Sequence, residues 1–461
     1  MPNRLIVRGD VVTMNQNRDI IGNGAVLIEG ARIAVVGRFT ELAATYPTVD
    51  VSGTWTDLVL PGYVNGHQHL TGDRLIQSSI PDNLAPGESI FTWAVPIHAE
   101  HSGDDDELAA TLTLAESLTN GITTTFEAGT VAHPDRVVAA ALLLGARLTI
   151  GTWGWDVDVG PYAGPVDEVI ERQRRTLDLA TANPNAESLN SAWVSLVGHD
   201  LMSDELLLAA AELAADQTAG LTFHMSPNTN DADSYLARTG KRPLVHLNDL
   251  GVLGPNVAVA HAVHIDEAEI TALIETNTSV VSCPWAYLRL GQGISDRFAH
   301  GELWRRGGRL SLGCDAENAG DMVDGIRTAA LFAGLAKDTN QDPTEFGAHD
   351  ALELLTIKGA EALNMADRIG SIEVGKQADL VVHDRSHIEW IPPSPDPVLQ
   401  LIWGTDGRSV RDVFVAGTQV VRDGAVTALD VPALLDDAVA AGHALRTRSG
   451  VPAAARWPVS E

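Results

Sequence analysis

Leu58-Val59-Leu60-Pro61-Gly62-Tyr63-Val64, running directly into Asn65-Gly66-His67-Gln68-His69, sets the fold. An apolar, β-branched run of this length reads as a buried strand. It ends on two histidines separated by one residue, which face the same way on an extended chain. Seven further runs follow: Ile122–Phe126, Leu148–Thr152, Ala192–Val197, Leu221–His224, Val257–His261, Ser279–Ser282 and Leu310–Leu312. Amphipathic helical text lies between them, for example Asp105–Thr119, Asp204–Asp216 and Glu267–Thr276. Eight alternating β and α units are expected to form a (β/α)8 TIM-type barrel of the α/β class. The rival, a doubly wound open sheet, lacks its glycine-rich fingerprint here.

Outward from this centre the text changes. Leu5-Ile6-Val7, Val11-Val12-Thr13, Ala25-Val26-Leu27-Ile28 and Ile33-Ala34-Val35-Val36 are short strands punctuated by Gly and Asn. Asp379–Val382, Val410–Val415 and Gln419–Val421 repeat that texture near the other end. The two ends are expected to pair into one small β-sandwich domain. The division is 1–57 and 376–430 for this domain, 58–375 for the barrel, and 431–461 for a terminal helix and tail.

The 461 residues carry a net charge of −30, with 45% hydrophobic and 20% charged residues. That balance repels a phosphate backbone and argues against nucleic-acid binding. No apolar run is long enough to cross a membrane. The N-terminus lacks the features of a signal peptide. Two cysteines, Cys283 and Cys314, cannot build a disulfide scaffold. A cytoplasmic protein is expected, working on a small molecule and assembled as a homo-oligomer.

In a barrel, chemistry sits at the C-terminal strand ends. His67 and His69 follow the first strand, His224 ends the fifth, His261 ends the sixth and Asp315 follows the eighth. Each can bind a metal or move a proton, and strand ends converge on one axis.

Pro61-Gly-Tyr-Val-Asn-Gly-His-Gln-His69 resembles the first-strand motif of the amidohydrolase superfamily, and Gly370–Val382 is similar to its return into the β domain. Within it the chain resembles the deaminase-like branch that includes triazine chlorohydrolases and aminohydrolases. The supporting stretches are Asn120–Thr125, Gly240–Pro243, Leu253–Asn256, His261–His264, and Cys283-Pro284 with Leu288–Gly291. The resemblance implies one divalent ion held by His67, His69, His224 and Asp315, with His261 beside the reacting water or substrate. No lysine ends the fourth strand, where binuclear relatives place a carbamylated one, so a single ion is expected. Zinc suits the donors, and iron, cobalt or manganese fit the same set.

Such an ion lowers the pKa of a bound water toward ~7. Asp315 can take the water proton and pass it to the leaving group, while His261 stabilises the developing charge. One departure matters. Deaminase-like relatives carry His-x-x-Glu after the fifth strand, whereas this chain reads His224-Met225-Ser226-Pro227. Proline cannot move a proton. Glu317, Asp200, His199 and Glu127 are the candidate substitutes, and Trp93, Trp285, Trp153, Trp155, Tyr162 and Tyr287 are candidates for an aromatic wall. The expected function is hydrolysis of an amide, urea or carbamate-like C–N bond, or displacement of another leaving group. The alternatives are an aminohydrolase or chlorohydrolase of a nitrogen heterocycle with a substitute acid, and a non-catalytic oligomeric scaffold.

Overall fold

The computed structural model describes residues 4–85, 87–157, 160–181, 188–320, 322–451 and 457. Of the terminal helix and tail expected over 431–461, residues 452–456 and 458–461 therefore lie outside the described residues. Strands β1 (Arg4–Val12), β2 (Ile20–Glu29), β3 (Arg32–Arg38) and β4 (Asp50–Pro61) open the chain. Next come β5 (Tyr63–Gln68), β6 (Ile122–Glu127), β7 (Arg147–Ile150), β8 (Asn190–Ala192), β9 (Val194–Gly198), β10 (Leu221–Met225), β11 (Val257–His261), β12 (Ser279–Ser282) and β13 (Arg309–Leu312). Strands β14 (Leu380–His383), β15 (Val410–Val415), β16 (Thr418–Arg422) and β17 (Ala425–Val426) finish the set.

The fold is α/β. Parallel strands run in the order β5-β6-β7-β8 and β9-β10-β11-β12-β13. Trp193 interrupts one extended segment, so β8 pairs with β7 while β9 pairs with β10. A parallel bridge between Gln68 and Asp315 joins the two outer edges. This strand order is the one a (β/α)8 barrel requires. The first strand differs from the sequence expectation. Leu58–Pro61 belongs to β4, and the chain enters the parallel set only after Gly62, where a Cβ would meet the Thr123 side chain at 2.2 Å.

The chain ends share one mixed sheet, ordered β17-β16-β15-β14-β4-β1-β2-β3. Val7, Val26, Val59, Leu380, Val382 and Phe414 form one apolar cluster from five of its strands. Two buried polar contacts pin this sheet to the parallel strands. Arg147 of β7 makes a two-pronged ion pair with Asp379 at 2.9 and 3.0 Å. Tyr63 of β5 shares a 2.7 Å hydrogen bond with His383, whose other nitrogen meets Ser409 at 2.8 Å.

Helices cover the parallel strands with apolar faces, and the helix Gly103–Thr119 begins on a capping box made by Ser102 and Asp105. The terminal helix spans Val431–Ser449 and buries Leu445 against Leu75, Ile76 and Ile97. Among the described residues no helix is long and apolar enough to cross a membrane.

Candidate metal centre

The strand ends deliver five polar side chains to one place. His67 lies in β5 and His69 just past it, while Gln68, pointing elsewhere, donates to the Asp315 carbonyl at 2.6 Å. Asn65 accepts from the Cys314 amide at 3.0 Å, so β5 and the Asp315 segment are stitched on both sides. Several turning residues sit at positive φ without being glycine: His199 at 56°, Ser226 at 51°, His261 at 74° and Asp315 at 70°. Such backbone is sparsely populated and clusters at functional sites. At Gly198, φ is +89° and a Cβ would lie 2.0 Å from the His224 carbonyl oxygen, so only glycine fits.

The ring centres of His67 and His69 are 4.9 Å apart, those of His67 and His224 4.9 Å, and those of His224 and His261 5.3 Å. Asp315 Oδ1 lies 3.5 Å from His69 Nε2 and 3.9 Å from His67 Nε2, and Oδ2 lies 4.0 Å from His261 Nδ1. Donor atoms of His67, His69 and Asp315, and likewise of His67, His224 and His261, fall within 4.8 Å of one another. Cys283 makes a further such group with His261 and Asp315.

Hydrogen-bond partners fix the tautomers. His224 Nδ1 donates to the Val197 carbonyl at 2.7 Å, which leaves Nε2 without hydrogen in the neutral ring. Thr130 spends its hydroxyl hydrogen on Glu127 at 3.0 Å and so accepts from His69 Nδ1 at 3.1 Å. His69 Nε2 is therefore also bare, and the two bare nitrogens stand 3.3 Å apart. Burial, helped by the neighbouring histidines, holds His67, His69 and His261 well below the usual imidazole range. Burial and the charge of His199 bring His224 down to about 3. Two facing lone pairs repel unless a cation lies between them. His67 Nε2 and His261 Nδ1 are also buried without a partner. The donor set fits a divalent ion.

Burial pushes the Asp315 carboxyl up to about 7 against the opposing Ala316 amide. The candidate acids are placed differently. Glu127 accepts from the amides of Leu70, Gly129 and Thr130 as well as the Thr130 hydroxyl, behind the His69 loop. Asp200 is engaged by Ser234 and by Arg238 at 3.1 Å. Glu317 is buried against Thr113 at 2.8 Å. Of the four, only His199 lines the cavity beside the histidines, and it pairs with Asp231 at 2.9 Å. Burial opposes the protonated His199 ring, but the Asp231 charge and hydrogen bond prevail and raise its pKa.

That cavity, of about 140 Å3, is bounded by His69, His224, His261 and Asp315 at one end and reaches Pro227. Trp153 and Trp155 line it, and Tyr162 stacks on Trp153 with ring centres 5.0 Å apart. Tyr287 lies edge-on to His261 at 5.7 Å. Trp93 packs at the edge of the Leu445 cluster, and Trp285 lies under the Arg327 guanidinium at 5.6 Å. Neither belongs to the cavity wall. A pair absent from the sequence expectations does: His98 Nε2 bonds Asp73 Oδ1 at 2.7 Å, and both residues line the cavity. Asp73 stands four residues past His69 and His98 lies in a short helix. Only the loop's descent from the His-x-His strand hinted at them.

A family model described as the amidohydrolase family matches residues 58–420, and an imidazolonepropionase-like composite domain matches residues 24–48. The chain is 28% identical over 452 residues to a 5-methylthioadenosine/S-adenosylhomocysteine deaminase of Thermodesulfovibrio yellowstonii, covering 95% of this chain and 98% of that one. It is 30% identical over 415 residues to the enzyme of that name from Moorella thermoacetica, covering 89% and 92%. Among solved structures it resembles an adenosine deaminase from Xanthomonas campestris with bound zinc (TM-score 0.90, 26% identity, 97% and 99% covered). An atrazine chlorohydrolase from Arthrobacter aurescens TC1, complexed with zinc, shares the fold (TM-score 0.85, 22% identity, 95% and 100% covered).

Proposed function

This chain belongs to the amidohydrolase family and is a hydrolase, and on that premise we propose that it cleaves a C–N bond in a small nitrogen-containing molecule with one divalent ion, zinc. The observation that carries the reading is the pair of bare Nε2 atoms of His69 and His224, 3.3 Å apart inside a cluster completed by His67, His261 and Asp315. His67, His69, His224 and Asp315 are the proposed ligands. Zinc is favoured by the nitrogen and oxygen donors and by the zinc in the similar adenosine deaminase. When bound, the ion supplies Lewis-acid activation of a water molecule.

The residues supply the rest. Asp315, holding the ion through one oxygen, would accept the water proton on the other and return it to the leaving nitrogen. His261, with Nδ1 unpartnered, orients the attacked group and stabilises charge as it develops.

A second reading, an aminohydrolase of a nitrogen heterocycle, is favoured by the deaminases that match nearly the whole chain. In that reading His199, held by Asp231, takes the place of the missing acid at Pro227. The mixed sheet is read as a small sandwich and the parallel set as a barrel. Their limits are 1–57 with 376–430 and 58–375, and a terminal helix and tail at 431–461. The acidic composition and two free buried cysteines support a cytoplasmic setting, and the reading includes a homo-oligomer.

A screen of the metal-reconstituted protein on amides, ureas, carbamates, aminated rings and chlorinated rings tests the assignment. Product formation that vanishes on chelation and returns with zinc is expected. A chain that neither takes up stoichiometric transition metal nor turns over any member is a scaffold instead.

A further inference from the structure

One stretch of chain, residues 75–100, supplies much of the cavity wall. Ile80, Ile90, Phe91, Ala94, Val95 and His98 all line the cavity. In the helical turn Glu88–Ala94 the Val95 amide bonds the Ile90 carbonyl, five residues back, a π-helical geometry that is rare and recurs at functional sites. Phe91 in this turn is half exposed. Leu75, Ile76, Ile80, Ala94 and Ile97 pack in an apolar cluster of their own, apart from the core of the parallel strands. A segment anchored outside the main core opens at lower cost than the core itself.

The terminal helix Val431–Ser449 closes that separate cluster. Leu445 is buried in it, and Leu434, Ala438 and Ala441 pack alongside. Gly442 lets the two backbones meet, because a Cβ there would stand 2.4 Å from the Leu75 carbonyl oxygen. Glycine weakens a helix interior, and the close approach accounts for its place here. Two arginines near the end of the helix then reach the two ends of the stretch. Arg446 donates to the Ser79 hydroxyl at 2.9 Å, next to Ile80. Arg448 donates to the Glu100 carbonyl at 3.4 Å and to the Asp105 carboxylate at 2.6 Å.

We propose that the terminal helix is a strap over residues 75–100, and that Gly442 and Arg446 are positioning residues that set how tightly the cavity holds its substrate. Neither lines the cavity; they act through Leu75 and Ser79. The consequence for turnover rests on the hydrolase reading, whereas the mechanical one does not.

Hydrogen exchange on the zinc-loaded full chain, read by mass spectrometry, tests the strap. Arg446→Met keeps the apolar stem and loses the bond to Ser79, so amides over 76–99 should exchange about tenfold faster, the measure of one charged hydrogen bond. Arg446→Lys retains a cationic donor and should recover most of the protection. Gly442→Val should quicken the same amides by forcing the helix off the Leu75 carbonyl. In Arg446→Met, zinc content and the amides of Val257–His261 should match wild type. With any substrate the screen yields, KM should rise several-fold in that variant while kcat holds. Wild-type exchange over 76–99 in both Arg446→Met and Gly442→Val overturns the strap, as does a quickening that spreads equally to Val257–His261. Faster exchange with KM unchanged overturns its hold on the cavity. A wild-type chain that takes up no zinc and turns over nothing overturns the hydrolase reading instead, and exchange then decides the strap alone.

Discussion

His69 Nδ1 donates to the hydroxyl of Thr130 at 3.1 Å, and that hydroxyl in turn donates to Glu127 at 3.0 Å. The carboxylate thus sets the histidine tautomer through one intervening hydroxyl. Backbone amides of Leu70, Gly129 and Thr130 hold the carboxylate, so the relay is rigid. Thr130→Val keeps the shape and removes the relay. Metal affinity should fall roughly 10–100-fold, the usual cost of losing an outer partner. A competitive chelator titration reads it, and unchanged affinity would show that His69 needs no such support.

The proposed ligands predict a sharper result. His67→Ala or Asp315→Asn should lose bound metal and turnover by more than the ~100-fold typical of outer-partner changes. Far-ultraviolet circular dichroism should stay near wild type, because the apolar core of the parallel strands does not depend on the ion. Full activity in either protein would remove the site from consideration.

Gly198 supports His224 from the neighbouring strand. With φ at +89° and the His224 backbone nitrogen 2.5 Å from where a Cβ would stand, Gly198→Ala must shift β10. Backbone strain alone costs about 1–3 kcal/mol. Denaturant unfolding should show at least that loss, together with weaker metal retention. A wild-type midpoint would mean the two strands slip apart freely.

What the sequence made legible follows from what each feature depends on. The parallel strands were readable because each is a short apolar run closed by polar text, and Val257–His261 and Ser279–Ser282 were bounded correctly. The His-x-His pair and the strand-end His224, His261 and Asp315 were readable because strand ends converge. The first strand was misplaced because Leu58–Pro61 and Tyr63–Gln68 look alike as text, and only pairing with Leu380–His383 separates them. Glu127 and Glu317 looked available because sequence shows proximity but not direction, and both are committed to partners elsewhere. Asp73 and His98 were not paired in advance because a loop and a short helix bring them together across 25 residues.

Acid should loosen the protein through buried neutral histidines. Burial brings His383 down to about 3 and His300 to about 4, below the ~6.5 expected in the unfolded chain. The unfolded state therefore binds more protons as pH falls below 6.5. Stability is fully present above that point and is lost between about 6.5 and the folded values. Each group contributes up to ~1.4 kcal/mol per pH unit within that window. His383→Gln should flatten the fall of melting temperature between pH 6.5 and 4. An unchanged slope would assign the loss to other groups.

Pro227 lines the cavity beside His199 and His224, at the position where the resemblance to deaminase-like enzymes implies a glutamate. Its ring nitrogen carries no hydrogen, so it can neither donate nor accept a proton. Pro227→Glu adds a carboxyl at that wall, and a positioned general acid contributes roughly 10²–10⁴-fold. Imperfect placement should leave a smaller gain, up to about 100-fold in ammonia released from an aminated triazine or purine. Ammonia is measured against wild type at equal zinc content. If release does not rise while zinc stays bound, proline was not the obstacle, and His199 with Asp231 already performs the transfer or the substrate needs none.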